Sequence, residues 1–318
     1  MKLIDKINKL EKAHFSFELL PPLKGKNIDS IYALIDNVID YDPVAVNITY
    51  HQEEVVYERL DNGLLQEKTI RKRPGTVAIS AAIKYKYENL PVVPHIICGG
   101  FSNEETEYAL IDLHFLGIQN ILVLRGDPLK SQRYFKPHPR GYANAVDMVK
   151  QVTNLNKGIY LDENLENTAA TDFSIGVAGY PEKHFEAPNM DSDLKYLKEK
   201  VDAGADYIVT QMFFDNQKYF DFVKKCRDIG IKVPVIPGIK PINSKKDLQM
   251  LPQVFHIDIP QDLVSEVAKC KDKAAVKQAG VEWAVEQSRG LLEFGVPLVH
   301  YFTIGKTDNL KAIVKKVF

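Results

Sequence analysis

Cysteine is scarce in this 318-residue chain: Cys98, Cys226 and Cys270 form an odd, widely spaced set. No disulfide framework can use all three, and no two have zinc-ligand spacing. A reducing compartment is the simplest reading, so a cytoplasmic location is expected. Charge of one sign is lacking too. The 41 Lys and Arg against 42 Asp and Glu leave a formal net charge of -1, too little to gather nucleic acid or an anionic membrane surface. Local lysine pairs such as Lys224-Lys225 and Lys245-Lys246 read as solubilising helix faces. No apolar run approaches the roughly twenty residues that span a bilayer. Charges interrupt the N-terminal MKLIDKINKLEKAHF, which leaves no signal-peptide core. Leu3, Ile7 and Leu10 recur there at helical spacing and predict a short amphipathic helix. No low-complexity linker or strong internal repeat divides the chain, so a single folded unit over 1–318 is expected.

What the chain does have is eight short runs rich in Val, Ile and Phe, at 14–20, 45–50, 92–98, 121–127, 173–180, 207–214, 233–239 and 298–303. Most precede a stretch of helical periodicity, the pattern of βα units and a parallel sheet. The 45% apolar content suits a large core, and the length exceeds the roughly 250 residues of a typical barrel. The expected fold is therefore α/β: a single (βα)8 TIM barrel with an extra N-terminal helix and long βα loops. Helices are predicted over 28–39, 102–116, 194–203, 219–229 and 274–294. Ser102 and Glu105 have capping-box spacing at the second of these. Two intervals run long: 52–90, with a basic stretch at 68–73, and 128–172, whose Asn-rich part 154–171 reads as a mobile surface excursion.

The carboxyl ends of the runs carry Glu18, Thr49 with Tyr50, His95, Arg125 with Asp127, Tyr180 and Gln211. In a closed barrel they converge on one face, where active sites are built. Glu18 sits among apolar residues, and poor solvation there would raise its pKa toward a general acid's range; a surface salt bridge explains it equally well. In Leu124-Arg125-Gly126-Asp127-Pro128, Gly admits a ligand to the backbone, while Arg125 and Asp127 fit either a binding site or a structural pair. Tyr180 can cover a planar ligand, and His184 can meet a phosphate or ring edge. No His or Cys stands at ligand spacing from His184, so no metal is expected. Gln211 offers a donor and an acceptor to an amide-like edge. Phe213 reads as a stacking candidate or as core. Pro237-Gly238-Ile239-Lys240-Pro241 reads as a rigid turn that allows close approach. Cys98 reads as packing.

Taken in order, SFELLPP, ITY, PHIIC, LRGDP, VAGYPEKH, LKEKVDAGAD, TQMFFD, PGIKPI and HYFT resemble the methylenetetrahydrofolate reductase family. The match runs from about Phe15 to Thr303. The resemblance implies a flavin-containing barrel that reduces 5,10-methylenetetrahydrofolate to 5-methyltetrahydrofolate. Hydride would pass from NADH or NADPH to FAD and then to the folate at one shared site, in a homo-oligomer. Residue by residue, it implies that Glu18 is the acid that protonates the folate nitrogen and that Asp127 stands beside flavin and pterin. Gln211 and Tyr219 would contact substrate. Thr49, Tyr50, His95, Arg125, Gly126, Tyr142, Ala143, Tyr180, His184, Asp193 and Lys200 would line FAD, although Lys200 also fits a helix-surface lysine.

The chain departs from the family pattern at His51-Gln52-Glu53, at Leu19-Leu20 and at Ile304-Gly305-Lys306. At the last of these the family has an arginine facing the folate. Lys306 keeps the charge and loses bidentate geometry, so folate binding is expected to differ there. The regulatory domain of eukaryotic members is not expected after the barrel. The nicotinamide preference stays open, because no Rossmann Gly-rich loop is present to read. The competing readings are a proline-dehydrogenase-like FAD barrel, which needs a late arginine pair, and a flavin- or folate-binding protein without catalysis. The set Glu18, Asp127 and Gln211 speaks against the second.

Overall fold

The computed structural model describes residues 1–129, 132–303 and 305–318. In chain order the elements are α1 (Leu3–Ile7), β1 (His14–Leu19), α2 (Asp29–Asp36) with a 3-10 turn (Ile39–Tyr41), β2 (Val46–Ile48), β3 (Glu54–Arg59), β4 (Leu65–Ile70), α3 (Thr76–Lys86), β5 (Val92–Ile97), α4 (Asn103–Phe115) and β6 (Asn120–Leu124). There follow α5 (Ala145–Leu155), β7 (Ser174–Gly179), α6 (Met190–Asp202), β8 (Tyr207–Met212), α7 (Asn216–Asp228), β9 (Val235–Ile239), α8 (Asp247–Phe255), α9 (Gln261–Lys269), α10 (Lys273–Glu293), β10 (Leu298–Phe302) and α11 (Asp308–Val317). Eight strands close a barrel in the order β1-β10-β9-β8-β7-β6-β5-β2, each pair parallel. The expected (βα)8 barrel and its N-terminal helix are both present.

Side chains alternate across the barrel wall, as the two-residue period of a strand requires. Phe15, Phe17 and Leu19 of β1, and Val299 and Tyr301 of β10, join the large apolar layer under the helices. The alternate residues Ser16, Glu18 and His300 face the lumen. The lower lumen is apolar: Val93, Leu122, Tyr207, Val209, Ile236 and Leu298 pack with Leu3 and Ile7 of α1. α1 therefore plugs the amino end of the barrel, anchored where the Leu3 N–H donates to Asn120 Oδ1 at 2.6 Å. Burying each such Leu or Ile contributes about 1.5–3 kcal/mol.

Several boundaries move from the sequence reading. Strands β2 and β6 end at Ile48 and Leu124, short of the expected 50 and 127, because the last residues leave the ladder to shape the mouth. The 52–90 interval holds the antiparallel hairpin β3–β4 and then α3. Its turn is Asp61-Asn62-Gly63, with Gly63 at φ +83° and the Leu60 N–H donating to the Leu64 carbonyl at 2.8 Å. The 128–172 interval contains α5. Its 154–171 portion lies on the surface, as expected, and is bonded to the body at several points. Tyr160 donates to the Ala169 carbonyl at 2.8 Å, the Leu161 N–H to Glu107 at 2.9 Å, and Asn156 to the Phe173 carbonyl at 2.9 Å. The capping box of α4 forms in both directions between Ser102 and Glu105.

Candidate active site

A polar layer lies above the apolar plug, and Glu18 is its centre. The Glu18 side chain is 14% exposed. Burial pushes its pKa from 4.5 up to about 8, opposed by the Lys240 ammonium. His95 Nε2 stands 3.8 Å from the Glu18 carboxyl and 3.4 Å from Asn47 Nδ2. Burial, then His300 and His51, push His95 down to about 3. The Glu18–His95 approach is thus a neutral acid beside a neutral imidazole near pH 7 rather than an ion pair. With Asn47 donating to Nε2, that nitrogen has no proton to give Glu18. On the far side, His300 is 1% exposed and burial lowers its pKa to about 3. Its Nδ1 meets Ser16 Oγ at 2.9 Å, while its buried Nε2 has no hydrogen-bond partner among the described residues. The backbone under Glu18 is held from both sides. Thr303 Oγ1 donates to the Glu18 carbonyl at 2.5 Å, and the Thr49 N–H to the Leu19 carbonyl at 3.1 Å.

A second cluster rims the mouth at the ends of β6 and β7. Arg125 pairs with Glu186 and lies 5.0 Å from the Phe135 ring centre. Tyr180 meets the His184 ring edge-on at 4.7 Å, and the His184 N–H donates to Asp193 Oδ2 at 2.9 Å. Lys200 does not lie on the helix surface. Its ammonium reaches in to the Ala178 carbonyl at 2.6 Å, and burial pushes its pKa to about 8, opposed by Asp193. Burial, Arg125, Lys200 and Lys183 together push His184 down to about 4. Three cations therefore converge on His184, with Glu186 and Asp193 as counter-charges. Burial and Asp127 hold the Tyr180 phenol protonated.

The remaining expected residues surround these clusters. Tyr50 packs edge-on against Phe101 at 5.2 Å. Gln52 Nε2 donates to the Asp127 carbonyl at 2.9 Å, joining the loops after β2 and β6. Gly126 takes φ +88°, and the Asp127 side chain is exposed at the mouth. Tyr142 is half-buried, its pKa raised to about 12 by burial and then by Asp147 and Glu107, and Ala143 beside it is exposed. Gln211 is half-buried at the end of β8, its Oε1 accepting from the Met212 N–H at 2.9 Å. Lys306 is exposed after β10. Ile304 lies outside the described residues.

Tyr219 lies apart from both clusters. It is 2% exposed in the outer core, stacked on Phe213 at 5.4 Å and donating to the Val235 carbonyl at 2.7 Å. The first turn of α7 points it at the barrel wall. Phe213 is likewise core. The room that Gly238 provides is filled by the protein itself: a Cβ there would lie 2.5 Å from the Phe302 ring. Around His184, Glu182 is bonded to Lys218 and the Asp258 N–H, and Glu186 to Arg125. Neither carboxylate is arranged about a metal. Cys98 is buried in the outer core. Among the described residues no helix is long and apolar enough to cross a membrane. The sequence reading missed Ser16, Asn47, Lys240 and His300 as parts of the site. Each is a polar residue within or at the end of an apolar strand, but which parity faces the lumen shows only once the barrel closes.

Comparison with known proteins bears on the whole assembly. The family model for methylenetetrahydrofolate reductase matches residues 3–317. The chain is 32% identical to "Methylenetetrahydrofolate reductase (NADH) 1" of Arabidopsis thaliana, over 96% of this chain and 48% of the relative. It is 29% identical to "5,10-methylenetetrahydrofolate reductase" of Escherichia coli (strain K12), over 94% of this chain and 88% of the relative. The chain thus spans about half the length of the plant relative and most of the bacterial one. Among solved structures, an uncharacterized protein from Clostridium thermocellum described as binding two copies of 5-methyl-5,6,7,8-tetrahydrofolic acid shares the fold. Its TM-score is 0.61 at 18% identity, over 99% of this chain and 97% of that one.

Proposed function

The chain belongs to the methylenetetrahydrofolate reductase family, and from that premise we propose that it reduces 5,10-methylenetetrahydrofolate to 5-methyltetrahydrofolate, with electrons from NADH or NADPH passed through FAD. The observation that carries the reading is Glu18, a carboxyl buried at the barrel mouth that keeps its proton to about pH 8. A group that must donate a proton at neutral pH needs that property.

FAD fits the rim on the chemistry of its donors. Arg125, Lys183 and Lys200 around His184 suit a diphosphate. Thr49, Tyr50, Gly126, Tyr142, Ala143, Tyr180 and Asp193 would complete its contacts. Bound there, FAD supplies the hydride relay between nicotinamide and folate. The protein supplies the proton and the field. Glu18 delivers its proton to the folate nitrogen, so that the methylene bridge opens to an iminium on the substrate. The Asp127 carboxylate stabilises that cation across the mouth. Gln211 holds the edge of the bound pterin or nicotinamide, and Lys306 the far end of the folate. The three cysteines, unpaired in the structure, agree with a cytoplasmic setting.

The test is a pair of half-reactions on the purified flavoprotein. NADH or NADPH should bleach the flavin absorbance, and methylenetetrahydrofolate should restore it with formation of the 5-methyl product. A flavin that the folate does not reoxidise would contradict the assignment.

A further inference from the structure

Lys240 is 3% exposed, and the charges that act on its ammonium are Asp247 and then Glu18. Strand register fixes where it stands. Gly238 pairs with His300 and Ile239 with Tyr301 across β9 and β10, while Phe302 pairs with Glu18 across β10 and β1. Ile239 and Tyr301 face the outer core. Lys240 therefore shares the lumen face with Gly238 and His300, one step higher, at the level of Phe302 and Glu18. The groups that face it are few. Asp247 is the larger attraction on it, its carboxylate held in place by the Asn243 N–H at 2.7 Å and Ser244 Oγ at 2.9 Å. His300 and His95 are neutral in this layer. Glu18 is the remaining group that acts on it.

A lysine placed this deep is costly to keep, and Asp247 offsets only part of that cost. It becomes useful where a negative charge is created during turnover. We propose that Lys240 is the positioning cation of the proton donor: its ammonium stabilises the carboxylate that Glu18 becomes on giving up its proton. The inference rests on Glu18 as that donor. In the step, the Glu18 O–H bond breaks and an N–H bond forms on the folate nitrogen. The electron pair stays on the Glu18 oxygen, and Lys240 exchanges no proton. In the buried lumen the pairing is stronger than in bulk water, so Lys240 sets how readily the proton leaves.

Lys240→Met keeps length and most of the volume and removes the charge. The Glu18 titration is followed by carbon-13 NMR of glutamate-labelled protein, its resonance identified by loss in Glu18→Gln. Its midpoint is expected to rise by about 1–3 pH units, and the alkaline limb of the folate half-reaction to rise with it. Lys240→Gln, which retains polarity without charge, is expected to behave alike and serves if the Met variant does not fold. A native midpoint in either neutral variant would overturn the proposal and leave Lys240 a packing residue. The NMR reading needs no turnover. A raised midpoint in a protein that does not reduce methylenetetrahydrofolate would refute the function and keep the Glu18–Lys240 pairing.

Discussion

Replacing Glu18 by Gln should change how the stability of the fold depends on pH. In the folded protein Glu18 holds its proton to about pH 8, against an ordinary 4.5. Between those values the fold binds one proton that the unfolded chain has released, so stability falls as pH rises. At about 1.4 kcal/mol per pH unit over about three and a half units, the ceiling is about 5 kcal/mol. The stability is fully present below 4.5 and lost as pH climbs through 8. The opposing pull of Lys240 is already contained in the value of about 8, and a compact unfolded chain trims the ceiling, so a loss of about 2–5 kcal/mol is expected. His95 and His300 act in the opposite sense. Held near 3 in the fold, they cost stability only as pH falls below about 6.5, and both variants carry them. Urea unfolding of native and Glu18→Gln protein at about pH 5, 7 and 9 isolates the difference. The variant should gain on the native protein steadily with pH. A difference that stays constant from acid to alkali would refute the buried, proton-holding Glu18.

Other expectations follow from the same geometry. Tyr219→Phe removes the bond to the Val235 carbonyl and should lower stability by about 1 kcal/mol with the folate KM unchanged; a raised KM would restore Tyr219 to the site. Gly238→Ala places a Cβ 2.4 Å from the Thr210 carbonyl and 2.5 Å from the Phe302 ring, so denaturation should show a loss of about 1–3 kcal/mol. Asp127→Asn removes a negative charge from the mouth and should raise the reduction potential of the bound flavin in dye equilibration; an unmoved potential would place Asp127 elsewhere.

The barrel was legible because its strands are short apolar runs separated by helical periodicity, a pattern that local sequence carries by itself. The hairpin β3–β4 was missed although Asp61-Asn62-Gly63 is a strong turn signal, since its strands are polar and mostly exposed and show no core face. Helix α5 also carries a visible stripe, at Ala145, Val149 and Val152, and was lost inside an interval judged by its Asn-rich end. In the site, Glu18 and His95 stood out as polar residues in apolar strands. His300, Asn47 and Lys240 did not, because which parity faces the lumen is set by closure of the barrel and not by any one strand. Tyr219 came from the family resemblance, and its burial in the outer core was not legible either. Position near a strand end does not say which way a helix turns its side chain.

The central claim is that Glu18 gives a proton in the folate half-reaction alone. Rapid-mixing measurement of both half-reactions on Glu18→Gln tests it directly. Flavin reduction by NADH or NADPH should keep its native rate, and reoxidation by methylenetetrahydrofolate should fall by about a hundredfold or more. Equal losses in the two half-reactions, or a folate step left at its native rate, would contradict the account.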